Sequence, residues 1–405
     1  MVRVKPLVLT FTNLFPSSVM PTHGIFVQER MTRVARAMPE VDWQVVAPVP
    51  HVAWFVRSGS YKRWLSVPDR EQVGSVTVHH PRFRHWPGLS VRRQADAVAS
   101  GAIELVRTLS KGRKVVLDAH YVWPDGIAAA VIAEKLSIPF TMTARGTDIN
   151  VLAEDHYIRS RIAEAAPRAL QCFAVSRALA DRFAKAAGLS SDRVEVARNG
   201  VDLERFRPGD AAVARRELGL PATGHLLLGI GRQVAGKGFH LAAAALASLP
   251  ADVRLVLVGD GPDRSVIQDA GGDRVIFLGS LPPDRVALAC RACDLLVLPS
   301  EREGWPNVVT EALASGLRVV ATRVGGIPQI LGDPPPADCS LGALIAVPDT
   351  DLLAAAINNV LAVPPSKDVV RRHAEQFGWD APVAQLCATF RRALDLDGNG
   401  GGTKR

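Results

Sequence analysis

The sequence predicts an α/β protein built from two doubly wound, parallel-sheet domains. Three observations lead there. Short apolar runs alternate with helical patterns along the whole chain, as βαβ units require. At 405 residues and 43.4 kDa the chain is long enough for two sizeable cores. A turn-rich break, RNGVDLERFRPGD (198–210), separates two stretches of similar plan.

In the first stretch PLVLTF, WQVVAPV, VTVHH, KVVLDAH, FTMTA and CFAVS read as strands. FVQERMTRVARAM and GIAAAVIAEKL carry helical periodicity between them. The basic, aromatic segment HHPRFRHWPGLSVRR (79–93) holds two prolines and reads as an irregular surface loop. After the break, HLLLGIG, VRLVLVGDG, VIFLGS, LLVLPS, RVVATRV and LIAVP repeat the alternation. HAEQFGWDAPVAQLCATFRRAL reads as one closing amphipathic helix, and the Gly-rich tail DLDGNGGGTKR as disordered. The expected division is 1–205, 206–375, a closing helix 376–394 packing back towards the first domain, and a tail 395–405.

A 22% charged, 48% hydrophobic composition belongs to an ordinary globular protein and argues against global disorder. No apolar run approaches the ~18 residues of a spanning helix. The N-terminal VKPLVLTFT lacks a small-residue cleavage site and reads as a buried strand, so a cytoplasmic location is expected. A net charge of +8 favours anionic partners such as nucleotide phosphates or lipid headgroups. No Lys/Arg run with interleaved aromatics sits on a recognisable nucleic-acid module, so nucleic acid is not an expected partner. The five cysteines form no disulfide framework. Cys290 and Cys293 make a lone C-x-x-C without a second ligand pair, which reads as packing.

The stretch GIGRQVAGKG (229–238) resembles a phosphate-cradling P-loop one residue short. A P-loop needs Ser or Thr after its lysine to reach magnesium, and Gly238 stands there. The dinucleotide pattern G-x-G-x-x-G fails as well, because Val234 replaces its third glycine. What remains is Arg232 and Lys237 in a glycine-rich loop after a strand, a pair suited to a diphosphate. Alone, the loop reads equally as a solvated basic surface. Further on, PSEREGWPNVVTEALASG (299–316) places Glu303 in a loop and Glu311 within a helix that starts near Pro306. Such a helix start leaves backbone N–H groups for an anion. The two carboxylates suit hydroxyl groups, which sugars and ribose supply.

Taken together, GIGRQVAGKGFH, LVGDGP, FLGSLP, DLLVLPSEREGWPNVVTEALASGLRVVAT and GGIPQI resemble the retaining glycosyltransferases of family 4. FPSSVMPTHGIFVQER, HYVWPDG, TARGTDIN, FAVSRALADRF and RNGVD match family landmarks in order, so the resemblance spans roughly residues 5–395. It implies the GT-B fold, two Rossmann-like doubly wound domains facing each other across a cleft that close over the donor. Arg232 and Lys237 would hold and stabilise the departing diphosphate. Glu303 would contact the transferred sugar, and the backbone of Gly304, Trp305, Pro306, Asn307, Val308 and Val309 would supply amides. Glu311 would bind ribose, Gly231 would shape the phosphate loop, and Gly24 would allow close approach to the donor. Asn199 and Gly200 would lie near the hinge.

One position departs from the pattern: Arg145 stands where many relatives have a histidine near the reacting carbon. Arginine cannot shuttle a proton at ordinary pH. Its role is therefore hydrogen bonding or charge in the site, or a structural bridge to Asp148. His120, at a strand end, and Asp148 are candidates for sugar or acceptor contact, and His120 reads equally as a structural histidine.

The implied activity is transfer of a hexosyl group from a nucleotide diphosphate sugar, with retention, in polysaccharide or glycolipid assembly. No metal or other cofactor is expected. The acceptor is expected to be lipid-linked or an oligosaccharide, bound by the first half. The 79–93 segment, with Trp54 and Trp64, suits an anionic membrane surface at the inner face of the cell membrane, and equally a solvated loop. Two other functions share these features: a nucleotide-sugar epimerase of the same fold, and a non-catalytic sugar-nucleotide-binding protein.

Overall fold

The computed structural model describes residues 4–52, 63–85, 91–364 and 366–396. Trp54, residues 86–90 of the basic segment and the tail from 397 onward lie outside them. The chain divides into two compact units, residues 1–198 with 380–405, and residues 199–379.

The first unit is built on β1 (Leu7–Phe11), β2 (Asp42–Val46), β3 (Val49–His51), β4 (Arg70–Val73) and β5 (Val76–His79). It continues with β6 (Arg82–Arg84), β7 (Val115–His120), β8 (Phe140–Ala144), β9 (Gln171–Ala174) and β10 (Val194–Val196). Eight of these form one sheet in the order β10-β9-β8-β7-β1-β2-β5-β4, parallel except for the antiparallel edge strand β4. β1 pairs with β2 on one side and β7 on the other, and every residue of it is buried. Burial on both faces is why LVLTF reads as a continuous apolar run rather than an alternation. The chain leaves β1 towards β2 and later returns to pair β7 on its other side, so the sheet has a switch point between β1 and β7.

The segment 79–93 differs from the expected loop. Arg82–Arg84 is a strand paired in parallel with β3, and Phe83 is 4% exposed. The period-2 signal over three residues was masked by the flanking prolines and charges. The expected closing helix also differs. It is two helices, Lys367–Glu375 in the second unit and Asp380–Ala393 in the first, broken at Phe377-Gly378-Trp379. The second of these packs on helix Ile25–Ala37, and Phe390 meets Trp43 edge-on at 5.4 Å. Asp395 and Leu396 belong to this packing rather than to a tail: the Leu396 N–H donates to the Arg391 carbonyl at 2.8 Å.

The second unit holds β11 (Leu226–Ile230), β12 (Arg254–Val258), β13 (Val275–Gly279), β14 (Leu295–Leu298), β15 (Arg318–Thr322) and β16 (Gly342–Ile345). All six are parallel in the order β13-β12-β11-β14-β15-β16. This is the 3-2-1-4-5-6 order of a Rossmann sheet, with its switch point between β11 and β14. The unit begins at Asn199, ahead of the expected boundary at 205, because 199–206 are stitched into it. Val201 bridges Gly378, its N–H donates to Phe377, and the Arg371 guanidinium donates to the carbonyls of Leu203 and Phe206. Gly200 lies against Trp379, where an added Cβ would sit 2.6 Å from the ring.

Phe390 anchors the returning helix to the first unit at 1% exposure. Phe390→Ala should lower the stability of that unit by about 3–5 kcal/mol, read as a reduced denaturation midpoint at unchanged slope. A shift within error would mean that the returning helix is dispensable for its core.

Candidate active site

In the second unit the carboxyl ends of β11 and β14 carry the two loops singled out in the sequence. The loop after β11 runs from Gly231 through a short turn, Ala235–Lys237, to Gly238, which starts helix Phe239–Ala245. Gly238 has φ +68°, and a Cβ there would lie 2.2 Å from the Pro299 carbonyl. The serine or threonine of a P-loop therefore has neither the backbone conformation nor the space it needs here. The loop after β14 leads through Gly304, Trp305 and Pro306 into helix Asn307–Ala314.

The two loops are tied together. The Glu301 N–H donates to the Gly236 carbonyl at 3.0 Å, and the Lys237 ammonium donates to Glu303 Oε1 at 2.6 Å. Lys237 and Glu303, sixty-six positions apart, thus meet across the switch point as a charge-assisted pair. The Glu303 side chain is 10% exposed and that of Lys237 29%, so the lysine is the more open partner. Arg232 is exposed on the same loop. Glu311 is half-buried on the helix, and Asn307 Oδ1 accepts from the Asn199 amide at 3.2 Å. Val309 is buried, Val308 half-buried, and the Trp305 ring packs edge-on to Phe377 at 5.8 Å. The Trp305 side chain therefore anchors the turn. Gln233 was missed by the sequence reading. It is 1% exposed, its amide donates to Gly259 at 2.8 Å, and its N–H donates to Asp260 at 3.0 Å. It staples the phosphate-type loop to the turn after β12.

Cys290 and Cys293 are free thiols buried beside this helix, and burial pushes both well above the ordinary cysteine range. They are packing residues, as read. No cluster of metal-ligating side chains occurs among the described residues.

In the first unit, the carboxyl ends of β1, β7 and β8 gather a buried polar array. His120 ends β7 at 1% exposure, and its Nε2–H donates to Asp118 Oδ2 at 2.8 Å. Asp118 also accepts from the Thr141 hydroxyl at 2.9 Å. The Arg145 guanidinium donates to His120 Nδ1, which fixes the neutral tautomer with its proton on Nε2. Arg145 is half-buried and lies over the Phe26 ring at 5.3 Å. Asp148 takes a different role: its carboxylate accepts the backbone N–H groups of Val122, Arg145 and Gly146 at 2.7–3.2 Å. Asp118 escaped the sequence reading although the signal was present. Asp118 and His120 are two apart on a strand and must share a face.

Gly24 heads helix Ile25–Ala37 with φ +68°, and a Cβ there would lie 2.2 Å from the Leu14 carbonyl. The close approach of this helix start to the backbone at Leu14 therefore depends on it. The Asn13 N–H of the same loop donates to Asp125 Oδ2 at 2.7 Å, joining it to the turn after β7.

Against known proteins, the family model for glycosyltransferase family 4 matches residues 27–205, and that for glycosyl transferases group 1 matches residues 224–362. A Bacillus subtilis protein provisionally named a teichuronic acid biosynthesis glycosyltransferase is 31% identical over 333 residues, covering 80% of this chain and 83% of its own. The chain belongs to glycosyltransferase family 4. Among solved structures, sucrose-phosphate synthase from Thermosynechococcus elongatus superposes with a TM-score of 0.77 at 19% identity over 97% of this chain and all of that one. HepE from Anabaena, solved with UDP-glucose, gives 0.66 at 18% identity over 96% of this chain and all of its own. These likenesses establish the GT-B fold with its two Rossmann-like domains. The glycosyltransferase thus carries the segment from Glu303 to Glu311 and its basic glycine loop on either side of the second unit's switch point.

Burial, opposed by Asp118 and reinforced by Arg145, pushes His120 down to about 4 from an ordinary 6.5. With the folded value below the unfolded one, the unfolded chain binds the extra proton between these limits. Stability from this group is complete above pH 6.5 and is lost as pH falls towards 4, on the order of 3 kcal/mol. His23, His79 and His85 are lowered by burial too and add to the loss of stability below pH 6.5. The melting temperature should therefore fall between pH 6.5 and 4, and His120→Gln should flatten that fall. An equally steep fall in the variant would remove His120 as the principal acid-sensitive group.

Proposed function

We propose that this glycosyltransferase moves a hexosyl group from a nucleotide diphosphate sugar to an acceptor hydroxyl, with retention at the anomeric carbon. The observation that carries the reading is the Lys237–Glu303 pair at 2.6 Å, which puts an ammonium and a carboxylate side by side over the switch point. A nucleotide diphosphate sugar needs both. Its phosphates call for cations and backbone N–H groups, and its hydroxyls call for a carboxylate acceptor.

As the glycosidic bond breaks, negative charge gathers on the leaving diphosphate. Lys237, Arg232 and the start of helix Asn307–Ala314 stabilise that charge with groups set in place beforehand. Glu303 holds Lys237 before the donor arrives and accepts sugar hydroxyls afterwards; Glu311 accepts from ribose. These cations take the part a metal would otherwise play, so the reaction proceeds without one. Arg145, fixed through His120 by Asp118, acts as an oriented hydrogen-bond donor rather than a proton carrier. The first unit binds the acceptor. A role in polysaccharide assembly is supported by the teichuronic acid biosynthesis relative, and a UDP-sugar donor by the UDP-glucose complex of HepE. No described helix is long and apolar enough to cross a membrane.

Incubation with a panel of nucleotide sugars and saccharide acceptors, followed by NMR of the first-formed product, tests the reaction. The donor's anomeric configuration should be kept, and a chelator should leave the rate unchanged. An inverted product or chelator-sensitive turnover would overturn the respective part.

Lys237→Ala should lower kcat/KM by roughly 10²–10³, the scale for removing one preorganised charge-stabilising group. Its circular dichroism and melting curve should match the parent. Near-parental turnover would take Lys237 out of the diphosphate role.

A further inference from the structure

The first unit contains a cavity of about 240 Å³ beyond the carboxyl ends of β1 and β2, apart from the Asp118–His120–Arg145 array. Trp64 and Phe83 give it aromatic walls, His23 and His85 imidazoles, and Asn13 and Gln94 carboxamides, with two prolines completing it. The walls are fixed. The Trp64 ring stands edge-on to His23 at 5.5 Å, and its carbonyl accepts from the Arg82 guanidinium at 2.9 Å. Phe83 and His85 meet edge-on at 6.2 Å, and the His85 N–H donates to the His51 carbonyl at 3.0 Å. His23 Nε2 pairs with the Asn13 carbonyl at 3.0 Å, which places the proton on that nitrogen.

The composition of this wall is selective. In a chain with 48 Lys and Arg and 40 Asp and Glu, the described lining contains none of the four. Among these described residues a phosphate or carboxylate would find no charged side chain to pair with. The carboxamides offer donors and acceptors that match a sugar hydroxyl, and His23, whose proton is held by the Asn13 carbonyl, keeps Nδ1 as an acceptor. Burial lowers His23 and His85, which keeps both in the neutral form. Aromatic faces meet the C–H face of a sugar ring and exclude water. At ~30 Å³ per water, 240 Å³ corresponds to about eight waters, room for one ring. The cavity also sits where ligands of open α/β sheets bind, outside the carboxyl ends of the strands. Through Asn13 and its bond to Asp125 it adjoins the turn that follows His120.

We propose that this cavity is a subsite for a single neutral pyranose ring of the acceptor saccharide, with Trp64 as its stacking platform and Gln94 as a hydroxyl partner. This rests on the reading that the first unit binds a sugar acceptor, and it narrows that acceptor to one whose bound ring carries no charge.

The test uses the full chain without any nucleotide sugar. Methyl glucoside, methyl galactoside and methyl mannoside are titrated separately, with methyl glucuronide as the charged counterpart. Calorimetry and the imidazole NMR signals of His23 and His85 are followed. At least one neutral glycoside should shift both imidazole signals, and the glucuronide should bind roughly tenfold more weakly or worse. Trp64→Ala and, separately, Gln94→Ala should each weaken the neutral glycoside, the former by about tenfold or more. Gln94 lies at the half-buried start of its helix, so its variant keeps the test open if Trp64→Ala does not fold. The proposal is overturned if no neutral glycoside moves these signals, if both variants bind like the parent, or if the glucuronide binds equally well. Failure of the glycosyl-transfer reading shows itself elsewhere, as absence of product from the parent chain with any nucleotide sugar.

Discussion

Parallel pairing is the constraint from which the two sites follow. A parallel strand cannot return to its neighbour through a hairpin, so each connection crosses over and every loop entering a helix leaves from the same edge of the sheet. Where the winding reverses, two adjacent loops turn to opposite faces and leave a gap between them. In the second unit that gap lies between β11 and β14, both fully buried and therefore rigid supports. Lys237 and Glu303 span it. Neither position has meaning without the reversal, because the residues are far apart in sequence and their strands meet only through the β11–β14 ladder.

Rigidity at this edge comes from close backbone approach as much as from side chains. Gly238 lets the β11 loop lie on the Pro299 carbonyl, and Gln233 fastens the other side of the loop to the turn after β12. The loop is thus held on two flanks while Lys237 remains the more exposed member of its pair. A cation held in this way has little to reorganise when it meets negative charge.

Legibility in the sequence followed the range of the interaction. Strands with continuous apolar runs, such as LVLTF and LLLGI, were readable because burial on both faces leaves a one-dimensional trace. Lys237 and Glu303 could be placed in loops because glycine and proline punctuate those segments, and Glu311 on the helix that follows Pro306. β6 was not, since three residues flanked by proline and arginine give no period, and its pairing with β3 is decided by tertiary contact. The closing helix was drawn as one piece because its apolar spacing runs through Phe377-Gly378-Trp379. The break there comes from the Val201–Gly378 bridge, which no local pattern announces. Gln233 lacked any signal of its own, since a buried amide in a loop is distinguished only by what it bonds. The saccharide-sized cavity brings together residues from five separate segments, beyond the reach of any local motif.

Arg145 illustrates how a departure from a family pattern is absorbed physically. A guanidinium at the rim of a buried array needs acceptors, and His120 links it to the buried carboxylate of Asp118. His120 accepts from Arg145 on one nitrogen and donates to Asp118 from the other. The imidazole must stay neutral to do both, and its burial together with the neighbouring arginine keeps it so. Phe26 then limits the guanidinium from its face, so that its direction as well as its position is set. A histidine at residue 145 could have exchanged a proton; an arginine held this way can only donate hydrogen bonds along a fixed direction. Within the first unit the guanidinium is thus an oriented donor, fixed by His120 and Phe26.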